Sequence, residues 1–306
     1  MSKIRILFLA FFTLVVFKSF GQQDPQYTHY NYNMNVLNPA YAGSQGTLSI
    51  GLLGRTQWVG IDGAPETLTA SIHSPISRNM GVGFSVVSDK IGAISENNVY
   101  ADFSYTIQTS YEGRLAFGLK GGITFQDINF LRLSKEQEND PLFSENLNEN
   151  YPNFGAGLFY YTSRFYAGLS MPNILESRHF EKKGGIVSSA SERMHYFFTT
   201  GYVFDVSQDL KLKPSAMVKA VTGAPVSIDL SATAFLYNKV ELGLSWRVDD
   251  SVSGLINFLI QPNVRLGYAY DHTYSNLGDF NSGSHEVFLL YDLDLSRRDV
   301  NSPRFF

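Results

Sequence analysis

Charged residues of both signs recur where a two-residue period predicts a strand. They alternate with apolar residues, so each strand is predicted to carry them on one face, the interior one. This set comprises Asp102, Arg114, Lys120, Lys213, Asp229, Glu241, Arg247, Arg265 and Asp271, with Lys211, Lys219, Glu286 and Asp292 as further members. A selective ion pore usually carries a ring of one sign. The mixed signs favour an internal network of ion pairs.

Catalytic motifs are not found in this sequence. It contains no H-E-x-x-H, G-x-S-x-G or P-loop pattern, and its six histidines have no metal-ligand spacing. Gly81-Val82-Gly83 and Gly118–Gly122 lie within predicted strands, where small residues that let a sheet bend are a better interpretation than phosphate binding. Asp279 with His272 or His285 is the pair that a hydrolase would use. We expect no enzyme activity, no cofactor and no metal.

The charged residues must be positioned by β-strands, and fourteen segments of the chain alternate apolar and polar residues as strands do. They are residues 46–54, 65–74, 80–88, 97–107, 113–125, 153–162, 164–172, 194–204, 209–221, 224–236, 238–249, 251–260, 263–271 and 284–294. In 113–125, Phe117 and Leu119 share one face while Arg114 and Lys120 share the other. This pattern predicts an all-β fold, a single antiparallel transmembrane β-barrel of about 14 strands with its apolar face in lipid. A soluble β-sandwich is the alternative.

The connections between these segments mostly alternate between short and long, the exceptions being Thr222–Gly223 and the turn near Asp249–Ser251, which are short on the long side. The predicted long ones are Arg55–Ala64, Asp89–Glu96, Gln126–Pro152, Asn173–Arg193 and His272–Gly283. Outer-membrane barrels have short periplasmic turns and longer outer loops. The alternation therefore favours the barrel over the sandwich, with both termini taken as periplasmic and the long loops outside.

The first 21 residues have the features of a signal peptide. Lys3 and Arg5 precede the apolar run Ile6–Phe17, and Ser19-Phe20-Gly21 suits cleavage before Gln22. An uncleaved anchor helix is the alternative, which the short apolar run disfavours. The absence of cysteine excludes a lipid anchor on cysteine and any disulfide. The whole chain carries a net charge of −4, and nucleic acid is therefore not expected as a partner.

These observations divide the chain into four predicted regions. They are a cleaved signal peptide (1–21), an N-terminal loop or plug (22–45), an outer-membrane barrel (46–294) and a periplasmic tail (295–306). The second part is rich in Asn, Gln, Tyr and Pro and shows no period. It is interpreted either as a periplasmic lead-in or as a hatch within the barrel.

Two pieces of the sequence carry a family resemblance. The first is Asp24-Pro25-Gln26-Tyr27 followed by Leu37–Gly43, and the second is Arg55–Pro65 running on to Ser71–Pro75. With the terminal Pro303-Arg304-Phe305-Phe306, they resemble the PorP/SprF family of outer-membrane proteins.

The resemblance implies a barrel of the type IX secretion system and of gliding motility, without enzyme activity. It further implies a role in secretion itself, or in exporting and retaining a large surface adhesin that carries a C-terminal sorting domain. The expected partners are therefore that secreted surface protein and the lipid bilayer. Periplasmic motor or peptidoglycan-binding proteins are further candidates.

The first predicted outer loop is the candidate partner-binding site. It contains Arg55, Gln57, Trp58, Ile61 and Asp62, and Arg and Trp often dominate binding interfaces. The alternative is that Arg55 and Trp58 fold inward. Two other functions stay open: a channel for a small hydrophobic molecule, suggested by inward Phe235, Leu255, Leu259 and Phe288, and a structural link to the periplasmic motor.

Overall fold

The computed structural model describes residues 25–129, 146–175, 178–183, 186–191, 194–222 and 224–294. The predicted signal peptide (1–21) and the predicted tail (295–306) lie outside these residues. No helix among the described residues is long and apolar enough to cross a membrane.

Antiparallel strands make up most of the described chain. In order they are β1 (Leu48–Thr56), β2 (Glu66–Pro75), β3 (Met80–Ile91), β4 (Ile94–Gln108), β5 (Arg114–Ile128), β6 (Leu147–Tyr161), β7 (Phe165–Met171), β8 (Arg178–Lys183), β9 (Ile186–Ser191), β10 (His195–Tyr202), β11 (Phe204–Asp205), β12 (Leu210–Val221), β13 (Ser227–Leu236), β14 (Val240–Arg247), β15 (Ser251–Gln261), β16 (Val264–Thr273) and β17 (Ser284–Leu293).

Fourteen of these strands close into one barrel, which confirms the predicted fold class. Each pairs with its neighbours along the chain, and β1 pairs with β17 to complete the ring. The two-residue β11 only extends the pairing of β12, and β8 and β9 form a separate hairpin between β7 and β10. Closure pairs every strand edge, which a sheet in lipid requires.

Side-chain alternation places the apolar face outside. On β5, Phe117, Leu119 and Ile123 are exposed while Lys120 and Thr124 are buried in the lumen. A soluble protein would bury the apolar set instead. Lipid removes that need, because the outward side chains leave water by contacting acyl chains.

All five predicted outer loops contain strand residues, and three of them contain more than a strand's last two residues. β3 and β4 run on to a turn at Gly92–Ala93, so that most of Asp89–Glu96 is strand. β6 begins at Leu147, within the predicted loop Gln126–Pro152, and the hairpin of β8 and β9 lies within Asn173–Arg193. These strand ends are polar, so they lack the apolar alternation that marks a lipid-facing strand. Backbone pairing continues without it.

The turns at the other end of the barrel are short, as predicted. Tyr237 and Asn238 join β13 to β14 with φ values of 52° and 53°. Two successive residues with positive φ suit the tight turns whose twist matches that of a hairpin. We call this side of the barrel the short-turn end, and the opposite side the outer mouth.

The N-terminal segment lies inside the barrel. It forms a 3-10 helix (Tyr30–Tyr32), a short α-helix (Met34–Leu37) and a second 3-10 helix (Pro39–Tyr41). A further 3-10 helix, Asn276–Phe280, lies in the last outer loop. Of the two interpretations offered for this segment, the structure shows the lumenal one, and we refer to residues Tyr27–Ala42 as the plug.

Candidate functional site

Opposite charges meet across the lumen wall. Lys120 Nζ lies 3.1 Å from Asp102 Oδ1, and Arg247 Nε lies 2.7 Å from Asp229 Oδ1. Arg265 pairs with Glu241. The first two pairs join directly opposite residues of neighbouring strands, so the barrel register itself brings them together. Arg265 on β16 reaches Glu241 on β14 across the intervening strand β15. Removing one partner of such a buried pair would leave an uncompensated charge.

Arg55 joins the same interior network at the outer end of β1. Its Nη2 lies 2.7 Å from Asp271 Oδ2, and its Nη1 lies 3.2 Å from Glu286 Oε2. Leu53, Arg55 and Gln57 are two residues apart, so their side chains lie on the same, inward face, and all three are buried. The guanidinium is buried and paired with two carboxylates of the wall, so Arg55 points inward in this structure.

The remaining residues of the predicted partner site are arranged differently. Gln57 is buried, Trp58 and Ile61 are half-buried, and Asp62 is exposed. Trp58 adopts a positive φ of 46°, which turns the chain out of β1. Backbone hydrogen bonds between Val59 and residues Ser282 and Gly283 fasten this loop to the last outer loop. Only part of the predicted site therefore faces the exterior.

Lys213 and Arg114 occupy separate places in the lumen. Lys213 and Arg265 both lie over the ring of Tyr32, at 5.6 Å and 5.2 Å from its centroid. This places the two cations against an aromatic residue of the plug. Arg114 is half-buried near the short-turn end of β5, opposite Tyr161 on β6.

Polar groups hold the outer end of the plug. Glu286 accepts hydrogen bonds from the backbone nitrogens of Thr28 (2.9 Å) and His29 (2.6 Å), and it lies 2.8 Å from His29 Nδ1. Thr28 Oγ1 donates to Asp271 at 2.8 Å and accepts from Arg55 Nη1 at 2.9 Å. Two carboxylates and one guanidinium of the barrel wall thus bind two consecutive plug residues.

The middle of the plug contacts strands on opposite sides of the lumen. Tyr32 donates to Glu241, and its hydroxyl also accepts from Arg265. Asn31 donates to Ser215 on β12 at 3.3 Å and accepts from Tyr166 on β7 at 2.7 Å. Since these contacts span several strands, the plug braces the barrel across its diameter.

Glycines of the wall make room for the inner end of the plug. A methyl group at Gly118 would lie 2.0 Å from Ala40 N, one at Gly157 would lie 2.1 Å from Asn38 Oδ1, and one at Gly81 would lie 2.2 Å from Ala42 O. Gly81 and Gly118 were interpreted from sequence as points of bending. The structure shows instead that the missing side chains let the plug backbone approach the wall.

A cavity of about 630 Å³ opens above the plug at the outer mouth. We call it the outer vestibule. Its charged lining residues are Arg55, Asp89, Arg247, Asp249, Asp250 and Asp271, and its apolar ones include Pro25, Trp58, Pro65, Ile91, Pro225, Val226 and Val248. Arg247 pairs with one of these acids, since its Nη1 lies 3.3 Å from Asp250 Oδ2. The vestibule is therefore lined by charged and apolar side chains together.

The structure does not assemble a catalytic constellation from the residues it describes. Asp279 is exposed, and in this part of the chain no hydrogen bond or ion pair joins it to His272 or His285. His285 instead contacts the hydroxyl of Tyr268 at 2.7 Å. Within the described ranges no group of three His, Cys, Asp or Glu residues is placed to hold a metal ion.

The sequence interpretation missed the plug contacts of His29, Thr28 and Tyr32. Each lies in a segment without periodicity, and its partners are distant in sequence; His29 and Glu286 are 257 residues apart. The one available signal was the run of Asn and Tyr residues, which could satisfy polar wall groups while filling space.

Solved structures with the same fold are outer-membrane transporters and channels. The toluene transporter TbuX of Ralstonia pickettii aligns with a TM-score of 0.52 and 10% identity over 84% of this chain and 92% of its own. The CymD monoaromatic hydrocarbon channel aligns with a TM-score of 0.52 and 10% identity, over 87% of this chain and 94% of its own. At this identity the likeness shows only the fold. No curated protein matches the sequence.

A family model gives a more specific assignment. The model described as type IX secretion system membrane protein PorP/SprF matches residues 19–291, which include the plug and nearly the whole barrel. Together with the closed lipid-facing barrel, this places the protein in the outer membrane. The chain belongs to the PorP/SprF family of type IX secretion system membrane proteins.

Proposed function

We propose that this protein is a non-enzymatic docking barrel, which binds and anchors a secreted cell-surface protein at its outer mouth. The observation that supports the proposal is the combination of a plugged lumen with a vestibule above it that is lined by charged and apolar residues. The partner would be an adhesin-type protein with a C-terminal sorting domain, as the family resemblance implies, and the barrel would serve its export, its retention or both.

The plug supports docking over passage through the lumen. Tyr30, Met34 and Tyr41 are buried against inward aromatic residues such as Phe159 and Tyr166. The apolar lumen residue Phe288 stacks on Tyr32 with ring centroids 4.5 Å apart. The inward apolar residues that suggested a hydrophobic channel therefore include one that packs against the plug.

The vestibule offers the residue types that dominate protein interfaces. Trp58 is half-buried at the rim, where a partner side chain would complete its burial. Asp249 is exposed and Asp250 half-buried on the β14–β15 connection. Aromatic contacts would supply affinity, and the charges would favour one partner over another.

Site-specific crosslinking tests the proposal, because the chain has no cysteine of its own. A photo-crosslinker attached to Asp249→Cys should capture a secreted protein with a C-terminal sorting domain from living cells. The matched control is Tyr111→Cys in the turn after β4, where Tyr111 is 94% exposed at the opposite end. Adducts from Tyr111→Cys alone would contradict docking at the outer mouth.

A second candidate, the link to the periplasmic motor, is favoured by apolar residues at the short-turn end. Ile76, Tyr111, Val206 and Tyr237 are all exposed in turns there. Exposed apolar groups of this kind can mark a protein contact. The Tyr111→Cys crosslinker should then capture a motor or peptidoglycan-binding protein, and this adduct should persist after the outer loops are trimmed.

A further inference from the structure

We propose that the polar outer end of β6 receives an extended segment of the secreted partner as an added β-strand. The inference rests on the proposed function for the identity of the partner, and it deepens that function by naming a second contact, which is made through the backbone. Strand addition to an exposed sheet edge is a common way of binding an extended peptide.

The outer end of β6 extends beyond the strand that follows it in the barrel. On one side β6 pairs with β5 over its whole length, from Leu147 to Tyr161. On the other side it pairs with β7 only from Ala156 to Tyr161. Among the residues that the structure describes, no strand pairs with Leu147–Asn153 on the side away from β5. We call this side the open edge; it lies beyond the part of the ring that closes in lipid.

The edge is open because the chain turns inward where β7 ends at Met171. A methyl group at Gly155, on the lumenal face of β6, would overlap the carbonyl oxygen of Pro172. The hydroxyl of Tyr100, also lumenal, donates to Asn173 Oδ1 at 3.3 Å. The segment after β7 therefore passes inside the wall. The hairpin of β8 and β9 that follows pairs only with itself.

Backbone groups of alternate residues point to the open edge. The N–H and C=O of one residue lie on the same side of a strand, and successive residues alternate between the two sides. The carbonyl of Phe154 lies on the β7 side, since it accepts from Ile174 N at 2.7 Å. Asn148, Asn150 and Pro152 share its direction. Pro152 fits this position, because a strand tolerates proline where the missing N–H would face away from the paired neighbour.

The open edge therefore offers the N–H and C=O groups of both asparagines and the carbonyl of Pro152. No backbone hydrogen bond within the described part of the chain reaches them from that side. Unpaired groups in a row on a strand edge are a template for pairing with another chain. Asn148 and Asn150 are exposed, so the template is accessible.

The neighbouring side chains favour a cationic segment. Glu96, Asp127 and Glu149 lie at the outer ends of β4, β5 and β6, where Asp127 is exposed and the two glutamates are half-buried. No Lys, Arg or His occurs in the strand ends 94–100, 124–128 and 147–153. A second copy of this chain, paired edge to edge, would bring like charges together. A partner strand that carries Lys or Arg would complement them instead.

Proline substitution tests the backbone contact. Benzophenone maleimide attached to Asn148→Cys should capture, in living cells, the same secreted protein as Asp249→Cys, through a segment that contains Lys or Arg. Adding Asn150→Pro should lower the yield of this adduct about tenfold, because it removes one N–H from the open edge and leaves the pairing with β5 intact. Asn150→Ala is the matched control, since it loses the same side chain but keeps the N–H, and its adduct should persist.

The inference is overturned if Asn150→Pro and Asn150→Ala give equal adducts. It is also overturned if Asn148→Cys captures only another part of this chain or a second copy, or captures nothing while Asp249→Cys still captures the partner. In that last case docking at the outer mouth stands, whereas a failure of Asp249→Cys contradicts docking itself.

Hydrogen exchange on the unsubstituted chain covers the case in which Asn150→Pro does not fold. In the barrel purified alone, the amides of Asn148 and Asn150 should exchange faster than those of Glu149 and Tyr151, which point towards β5. In the complex purified with the captured protein, exchange at both asparagines should slow by about tenfold, as one added hydrogen bond each would cause. Unchanged exchange in the complex would refute strand addition.

Discussion

Glu286 is the residue on which the outer end of the plug most depends. It accepts from two consecutive backbone nitrogens and pairs with Arg55, all without exposure to solvent. Its carboxylate therefore joins β17, β1 and the plug. Because the group is both charged and buried, its contribution depends on keeping every partner in place.

Glu286→Gln should destabilise the folded barrel by about 1.5–3 kcal/mol, because it replaces the charged acceptor of the plug's backbone nitrogens while Asp271 still pairs with Arg55. We expect a lower unfolding temperature in detergent, measured from the heat-dependent shift of the barrel's mobility on a gel. Glu66→Gln is the matched control, since Glu66 is exposed at the outer end of β2. Equal unfolding temperatures for the two variants would contradict the role given to Glu286.

Gly118 provides a steric test on a single strand. A methyl group there would meet Ala40 N at 2.0 Å, whereas one at Gly121, also on β5, has no atom within 4 Å. Gly118→Ala should therefore cost about 1–3 kcal/mol through overpacking, and Gly121→Ala should not. Both variants are compared by thermal unfolding and by protease cleavage in the plug. An equal loss of stability in both would mean that the glycines are required by the strand and not by the plug.

We expect the plug to be the element that keeps the lumen from conducting. Its removal would expose a wall lined by Asp102, Lys120, Glu241 and Arg265, and such a polar lumen fills with water. The intact chain should be silent in planar bilayers. Replacing Tyr27–Ala42 with a Gly-Ser linker of equal length should produce stable ion conductance.

Folding of the linker variant must be shown separately, by its heat-dependent gel shift. A folded variant that conducts no current would mean that other elements close the lumen. Conductance or hydrocarbon uptake by the intact chain would instead favour the channel function over docking.

The whole molecule depends on lipid to cover its outward face. Leu244 lies in the middle of β14 with 69% of its surface exposed. Leu244→Lys should cost about 2–4 kcal/mol, because it places a charge on the lipid face near the bilayer midplane. Phe280→Lys is the control, since Phe280 is 73% exposed but belongs to the last outer loop. Folding yields into liposomes should fall only for Leu244→Lys, and similar yields would contradict this orientation.

Strand number, strand order and the lumenal charges could be predicted because they rest on a local property. A two-residue period assigns every side chain of a strand to one of two faces, and the membrane requires the apolar face to point outward. Asp229 and Arg247 were placed on the inner face in this way. Their contact follows from the register of β13 and β14, which a short turn fixes.

Polar strand ends could not be predicted from the same signal. Above the membrane neither face needs to be apolar, so Asp89–Glu96 loses its period while its backbone remains paired. There the carboxylate of Asp89 accepts a hydrogen bond from Thr67 Oγ1, with 2.5 Å between the two oxygens. Loop lengths estimated from sequence were therefore too long for these connections.

The sequence by itself determined a lipid-facing barrel, its interior charges and its family, since each follows from local alternation or from short motifs. Only the tertiary structure decided that residues 27–42 fill the lumen and that Arg55 faces them. The plug has no period, and its stability comes from wall residues that are far apart in sequence, such as Asp271, Glu286 and Gly118. Those groups meet only once the ring closes.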